Sequence, residues 1–180
     1  MSSIDFLYNN NWVSVVEKHT DNNGTYVYAT SPWCNSTGVA VLGYMNMGSN
    51  VKYLGRYELC PAHSDEMELG SIIGGYDNSD KYTLKQCALN ELREEGGFDA
   101  PVSLLIELGA VKPTKASDNI VYLYAVDIGN SLVNSCEATG DGGETEKGAY
   151  TKWVTEEQAI KCKDPLIAAM IARLKLKLQK

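Results

Sequence analysis

The chain has 180 residues, 44% hydrophobic and 22% charged, with 16 Lys and Arg against 23 Asp and Glu and a formal charge of −7. This composition excludes a disordered or collagen-like chain, and the length suits one domain, or one domain with a small appendage, that buries its own core. The longest apolar stretches, Gly38–Met45 and Pro165–Ile171, fall well short of the roughly 20 residues that span a bilayer. Met1-Ser2-Ser3-Ile4-Asp5 has neither a basic region nor a long apolar run, so no secretory signal is visible. A cytoplasmic protein with no membrane contact is expected. The acidic surface repels phosphate backbones and disfavours nucleic acid as a partner, although a divalent cation can still bring phosphates to it. Cys34, Cys60, Cys87, Cys136 and Cys162 are odd in number and widely spread, which suits reduced thiols. His19 and His63 stand in no metal motif, and structural roles are expected for both.

In chain order, Trp12–Lys18 reads as a strand, the polar cluster Thr20–Gly24 as a turn, and Thr25–Thr30 as a strand returning antiparallel to the first. Gly38–Tyr44 reads as a buried strand, and another follows near Val51–Leu59. Pro61–Glu68 is polar and reads as a loop, after which Ser71-Ile72-Ile73 runs into Gly74-Gly75. Thr83 caps a helix with body Leu84–Glu95, which Gly96-Gly97 ends. Val102–Val111 and Ile120–Ile128 are strand-like, and Ala138–Gly148 is a loop rich in Gly, Thr and Glu. A short strand at Ala149–Val154 leads into a short helix opened by Thr155-Glu156-Glu157-Gln158. Asp164-Pro165 then starts a last helix to about Leu178. The pattern is α/β with mixed strand directions.

The chemistry is concentrated in the Thr83 helix. Leu84, Cys87 and Ala88 define one stripe, and its next turn reaches Glu91 and Glu95, with Glu94 at the edge. Lys85, Gln86 and Arg93 lie on the other side. Three like charges within one turn repel each other, and the helix C-terminus adds an unfavourable dipole. An ordinary solvated acidic face would oppose the core stripe, whereas these carboxylates continue it. A hard divalent cation such as Mg²⁺ removes the repulsion, taking carboxylate oxygens together with water and substrate phosphates.

These residues resemble the Nudix hydrolase box, whose second half reads R-E-U-x-E-E-x-G-U with U a bulky apolar residue. Asn90-Glu91-Leu92-Arg93-Glu94-Glu95-Gly96-Gly97-Phe98 matches it except at the first position, where Asn90 replaces the arginine that orients the glutamates. Gly74-Gly75 looks like the start of the box, with one extra residue before the helix, and Tyr82 stands where its first glutamate is expected. Beyond the box, Leu54-Gly55-Arg56-Tyr57 resembles the strand carrying a phosphate-contacting arginine in the ADP-ribose pyrophosphatase branch. Pro113, fifteen residues after Phe98, matches that branch, as does Ser117-Asp118-Asn119 before Ile120–Asp127, with Asn119 in place of the branch's acid. Trp153-Val154-Thr155-Glu156-Glu157 resembles the family's closing strand and helix.

The resemblance implies a Nudix-type α/β/α sandwich around a mixed β-sheet over residues 38–180, preceded by N-terminal strands over 1–37 of the kind this branch uses for dimerisation. It implies a homodimer and a Mg²⁺-dependent (or Mn²⁺-dependent) pyrophosphatase acting on a small nucleoside diphosphate linked to another group. ADP-ribose, cleaved to AMP and ribose 5-phosphate, is the first choice of substrate. Glu91, Glu94 and Glu95 would bind the metal, with the Gly74 carbonyl as a further ligand. Arg56 and Gly75 would contact substrate, although a surface-strand arginine is an equal reading of Arg56. Glu146 or Glu144, on the glycine-rich loop, would supply the general base, with Glu146 the better placed; either also reads as a solvated loop acid. Trp12, Trp33, Tyr26 and Tyr28 are suited to stack a base, but aromatics in strands are more often core, and none is assigned to the site. The reading from another class is a Nudix-fold module that holds a nucleotide without turnover, favoured by Asn90 and Tyr82.

Overall fold

The computed structural model describes residues 3–21, 24–48, 50–77, 81–140, 142–143 and 146–179. An antiparallel meander of β1 (Ile4–Asn9), β2 (Ser14–His19) and β3 (Thr25–Thr30) forms a three-stranded sheet of its own. The sequence reading omits β1, and all six of its residues are exposed. Next come β4 (Thr37–Met47), β5 (Asn50–Cys60), β6 (Ser64–Gly70) and β7 (Ile72–Gly75), then α1 (Leu84–Glu94) and the two-residue β8 (Phe98–Asp99). The chain continues through β9 (Ile106–Val111), β10 (Ile120–Asp127), the two-residue β11 (Asn134–Ser135) and β12 (Tyr150–Thr155). It closes with α2 (Glu156–Lys161) and α3 (Pro165–Leu178).

The main sheet runs β12-β5-β4-β10-β9, with β6 added beside β5 and β7 beside β4. β4 and β10 are parallel, whereas β5, β7, β9 and β12 pair antiparallel, so the sheet is mixed as expected. Two expectations are corrected. Most of the polar stretch expected as a loop is strand β6, whose Leu69 and Met67 lie opposite Tyr57 and Leu59 while Asp65 and Glu66 are exposed and Glu68 pairs with Lys163. Half-exposed edge strands keep this polar composition. The apolar segment at Val102 begins as a short 3₁₀ turn, Val102–Leu104, behind Pro101, and strand geometry starts only at Ile106.

The central strand separates two cores. On β4, Val39 and Val41 join Leu54, Ile72, Leu92 and Val126 under α1, whereas Ala40, Leu42 and Tyr44 join Leu123, Ile167, Met170 and Ile171 under α3. Burial on both faces explains why β4 reads as an unbroken apolar run. The outcome is an α/β/α sandwich. No helix among the described residues is long and apolar enough to cross a membrane.

The N-terminal sheet docks on the segment before β10. The Ala29 N–H donates to the Ala116 carbonyl at 2.8 Å and the Asp118 N–H to the Ala29 carbonyl at 3.2 Å. After β3 the chain reverses through a 3₁₀ turn at Pro32–Cys34. Asn35 and Ser36, at φ 48° and 52°, then take the left-handed conformation that ordinary side chains disfavour. The Ile120 N–H fixes this bend by donating to the Ser36 carbonyl at 2.8 Å.

Helix α1 carries a full capping box, with the Gln86 N–H donating to Thr83 Oγ1 at 3.3 Å and the Thr83 N–H to Gln86 Oε1 at 2.9 Å. Thr83→Ala should cost about 1 kcal/mol. Leu92→Ala, at a fully buried position, should cost about 3 kcal/mol. Urea unfolding of both variants checks the two values.

Candidate active site

The site lies where α1 ends above β7. Glu91, Glu94 and Glu95 all line one cleft of about 510 Å³, together with Gly74, Gly75, Trp33, Asn119 and Glu146. Strand alternation sets the floor: Ile72 is buried beneath α1, so Gly74, two residues on, faces the same helix. A Cβ on Gly74 would stand 1.9 Å from Glu91 Oε1, so the glutamate occupies the space that a side chain would fill. Gly75 is bare for a matching reason on the other face, because a Cβ there would stand 1.9 Å from the Trp33 ring. These glycines let the helix and the indole approach the strand closely.

Arg56 is 3% exposed, which overturns the surface-strand reading. On β5 it shares the face of Leu54, which packs under α1, so its guanidinium runs towards the end of that helix. Its Nε donates to Glu58 Oε2 at 2.7 Å, and its Nη2 lies 3.0 Å from Glu146 Oε1 and 3.5 Å from Glu95 Oε1. Burial works against the charged guanidinium, but the Glu58 hydrogen bond and the charges of Glu95, Glu58 and Glu146 hold its pKa above the ordinary value.

Glu95 shows the opposite balance. Burial raises its pKa from 4.5 to about 8; Arg56 pulls it down, while Glu91 and Glu58 push it further up. The Ile73 N–H donates to its Oε2 at 3.3 Å and also favours the ionised form. Glu94 pairs with the exposed Arg93 at 3.0 Å. Among the described residues, the three ligand atoms drawn together within 4.8 Å are those of Asp5, Glu17 and His19, not those of the cleft glutamates. Glu95 and Glu94 turn to different arginines, Arg56 and Arg93. The chemistry of the cleft carboxylates still fits a hard divalent cation: all are oxygen donors on one cleft, and one of them is buried beyond what Arg56 compensates.

Glu146 belongs to the same cluster as Arg56. Its loop wraps the carboxylate, with the Gly142 N–H donating to Oε2 at 3.1 Å and a Cβ on Gly140 falling 2.6 Å from that oxygen. Its side chain is 15% exposed, so this is not a fully solvated acid. Glu144 lies outside the described residues. Tyr82 is exposed beside the start of α1, and its carbonyl accepts from the Tyr76 hydroxyl at 3.0 Å. Sequence reasoning missed Glu58, although its i+2 spacing from Arg56 on a strand was a usable signal. It also left Trp33 unassigned, and only the bend at Pro32–Ser36 brings that ring to the cleft. Asn119 carries a buried Oδ1 with no hydrogen-bond partner among the described residues.

The layers match the Nudix fold. A structure described as an ADP compounds hydrolase aligns with a TM-score of 0.64 over 98% of this chain and 93% of its own, at 17% identity. The Nudix domain of Shewanella oneidensis NrtR, complexed with ADP-ribose, aligns with a TM-score of 0.56 over 79% of this chain and 87% of its own, at 14% identity. No protein-family model and no curated protein matches the chain.

The Glu95 shift has a definite sign. The fold keeps this proton up to about pH 8, while the unfolded chain releases it near 4.5. Its contribution to stability is therefore full at acid pH and is lost as pH rises through that window. A cation held by Glu95 would need the carboxylate and expel the proton, so any Mg²⁺ or Mn²⁺ affinity of the cleft should rise between pH 6 and pH 8. Calorimetric titration in buffers of different ionisation enthalpy checks the proton release, which Glu95→Gln should abolish.

Proposed function

We propose that the cleft binds Mg²⁺ or Mn²⁺ through Glu91, Glu94 and Glu95, with the Gly74 carbonyl as a further ligand. It hydrolyses the diphosphate bond of a nucleoside diphosphate joined to another group, with ADP-ribose, giving AMP and ribose 5-phosphate, as first choice. The observation that carries this reading is the convergence of three glutamates with the buried Arg56 on one cleft. When bound, the cation neutralises the diphosphate and acidifies water for attack on phosphorus. Glu146 accepts the proton of the attacking water, and Arg56 turns its guanidinium from Glu146 to a phosphate oxygen. Gly75 leaves room for the substrate against the strand, and Trp33 offers a flat face to a base. The exposed Phe6, Leu7, Tyr8 and Trp12 support a homodimer through the N-terminal strands. The two structural neighbours support the substrate class, one by its description as an ADP compounds hydrolase and the other by its bound ADP-ribose.

A nucleotide-binding module without turnover is the second reading, favoured by the exposed Tyr82 at the position of the box's first glutamate. A panel of ADP-ribose, NADH, diadenosine polyphosphates, nucleotide sugars and dNTPs at equal Mg²⁺ separates the two. ADP-ribose should give AMP fastest, and a dNTP leading by about tenfold in kcat/KM would overturn the substrate class. Glu95→Gln and Glu146→Gln should each lower kcat about a hundredfold or more. Unchanged turnover in Glu95→Gln would overturn the metal assignment. A raised Tm with ADP-ribose but no AMP release would establish the binding module.

A further inference from the structure

The N-terminal sheet carries a second group of metal-ligand type, separate from the residues that line the cleft. Asp5 on β1 lies directly opposite Glu17 on β2, in the part of the register that precedes the bulge between Phe6 and Tyr8. His19 follows Glu17 by two residues and so stands on the same face. Its Nε2 is 2.8 Å from Asp5 Oδ2 and 3.8 Å from Glu17 Oε2. Lys18 projects to the opposite face by strand alternation and cannot lie between these two acids. From β3, the residues registered with Glu17 and His19 are the uncharged Val27 and Thr25. A like-charged pair set directly across two strands is unfavourable, and a single imidazole faces both members.

We propose that Asp5, Glu17 and His19 form a site for a divalent transition ion of the Zn²⁺ type, which pins β1 to β2. An imidazole nitrogen with two carboxylate oxygens suits Zn²⁺, Co²⁺ or Ni²⁺ and is a poor match to Mg²⁺. Such an ion, with bonds of about 2.1 Å, sets neighbouring donors about 3.0 to 3.4 Å apart. The observed 2.8 and 3.8 Å bracket that spacing, so the donors need only small side-chain rotations. Glu17 and His19 are partly covered, and water completes the coordination from the exposed Asp5 side. The structural reason for a pin is also local. Every residue of β1 is exposed, so backbone pairing and this cluster hold the strand with little help from a core.

The chain has only two histidines, which makes the test direct. Imidazole NMR resonances of the full chain are followed as Zn²⁺ is added in excess Mg²⁺, which keeps the cleft glutamates occupied. One equivalent of Zn²⁺ should move the His19 signals and leave His63 in place. Asp5→Asn and Glu17→Gln should each weaken Zn²⁺ about tenfold or more. Zn²⁺ should also slow hydrogen exchange of the β1 amides, and His19→Ala should remove that protection while leaving AMP release unchanged. The proposal is overturned if His19 does not move by ten equivalents, if both histidines move together, or if the carboxylate variants bind Zn²⁺ as tightly as the parent. The Zn²⁺-binding, imidazole-shift and hydrogen-exchange readouts do not depend on whether the cleft hydrolyses a diphosphate; only the AMP-release control rests on the proposed function.

Discussion

A single guanidinium, buried on a central-sheet strand, holds the site together. Arg56 faces Glu58, Glu95 and Glu146, which come from its own strand, from the end of α1 and from the loop before β12. Removing it would strand buried carboxylates without a counter-charge, a far larger cost than losing a surface ion pair. One positive charge cannot compensate all its acidic neighbours, however. Burial first, and the charges of Glu91 and Glu58 after it, hold Glu95 towards its neutral form even with Arg56 beside it. Three carboxylates line the cleft, and the burial of Glu95 makes its ionised form costly without a further positive charge.

Under the proposed function, the same residue would link substrate binding to proton transfer. Arg56 and Glu146 satisfy each other in this structure at 3.0 Å. On that reading a phosphate oxygen competing for Nη2 would free one carboxylate oxygen of Glu146, while the Gly142 N–H holds the other. Gly140 and Gly142 both adopt positive φ, and the missing side chain of Gly140 gives the Glu146 carboxylate the place it occupies.

Much of this was legible in the sequence, and the reason is periodicity. The α1 stripe places Ala88 and Leu92 in the core and hands the same face to Glu91 and Glu95, so the acid cluster follows from helical spacing alone. Thr83, Thr155 and Asp164 stand as caps at the starts of α1, α2 and α3, the α-helices among the described residues. What was not legible depends on contacts between distant segments. Arg56 looks like any strand arginine until its face is known, and Trp33 reaches the cleft only through two consecutive left-handed residues. β6 was hidden because its acids alternate with few apolar partners, and β1 because it packs on no core. The grouping of Asp5 with His19 likewise needs a strand register that composition does not reveal.

The join between β6 and β7 rests on one residue, Ser71, whose N–H and hydroxyl are held by Asp164 Oδ2 at 2.7 and 2.6 Å. Asp164 is also the cap of α3, since the Leu166 N–H donates to its Oδ1 at 2.8 Å. One carboxylate on the far layer thus clamps the phase of β7. A single inserted residue at this join would turn every β7 side chain to the opposite face. Ile73 would then meet Glu91 where Gly74 now stands, and the floor of the cleft would be blocked by a branched side chain. The start of the last helix therefore governs the face that β7 presents to the first.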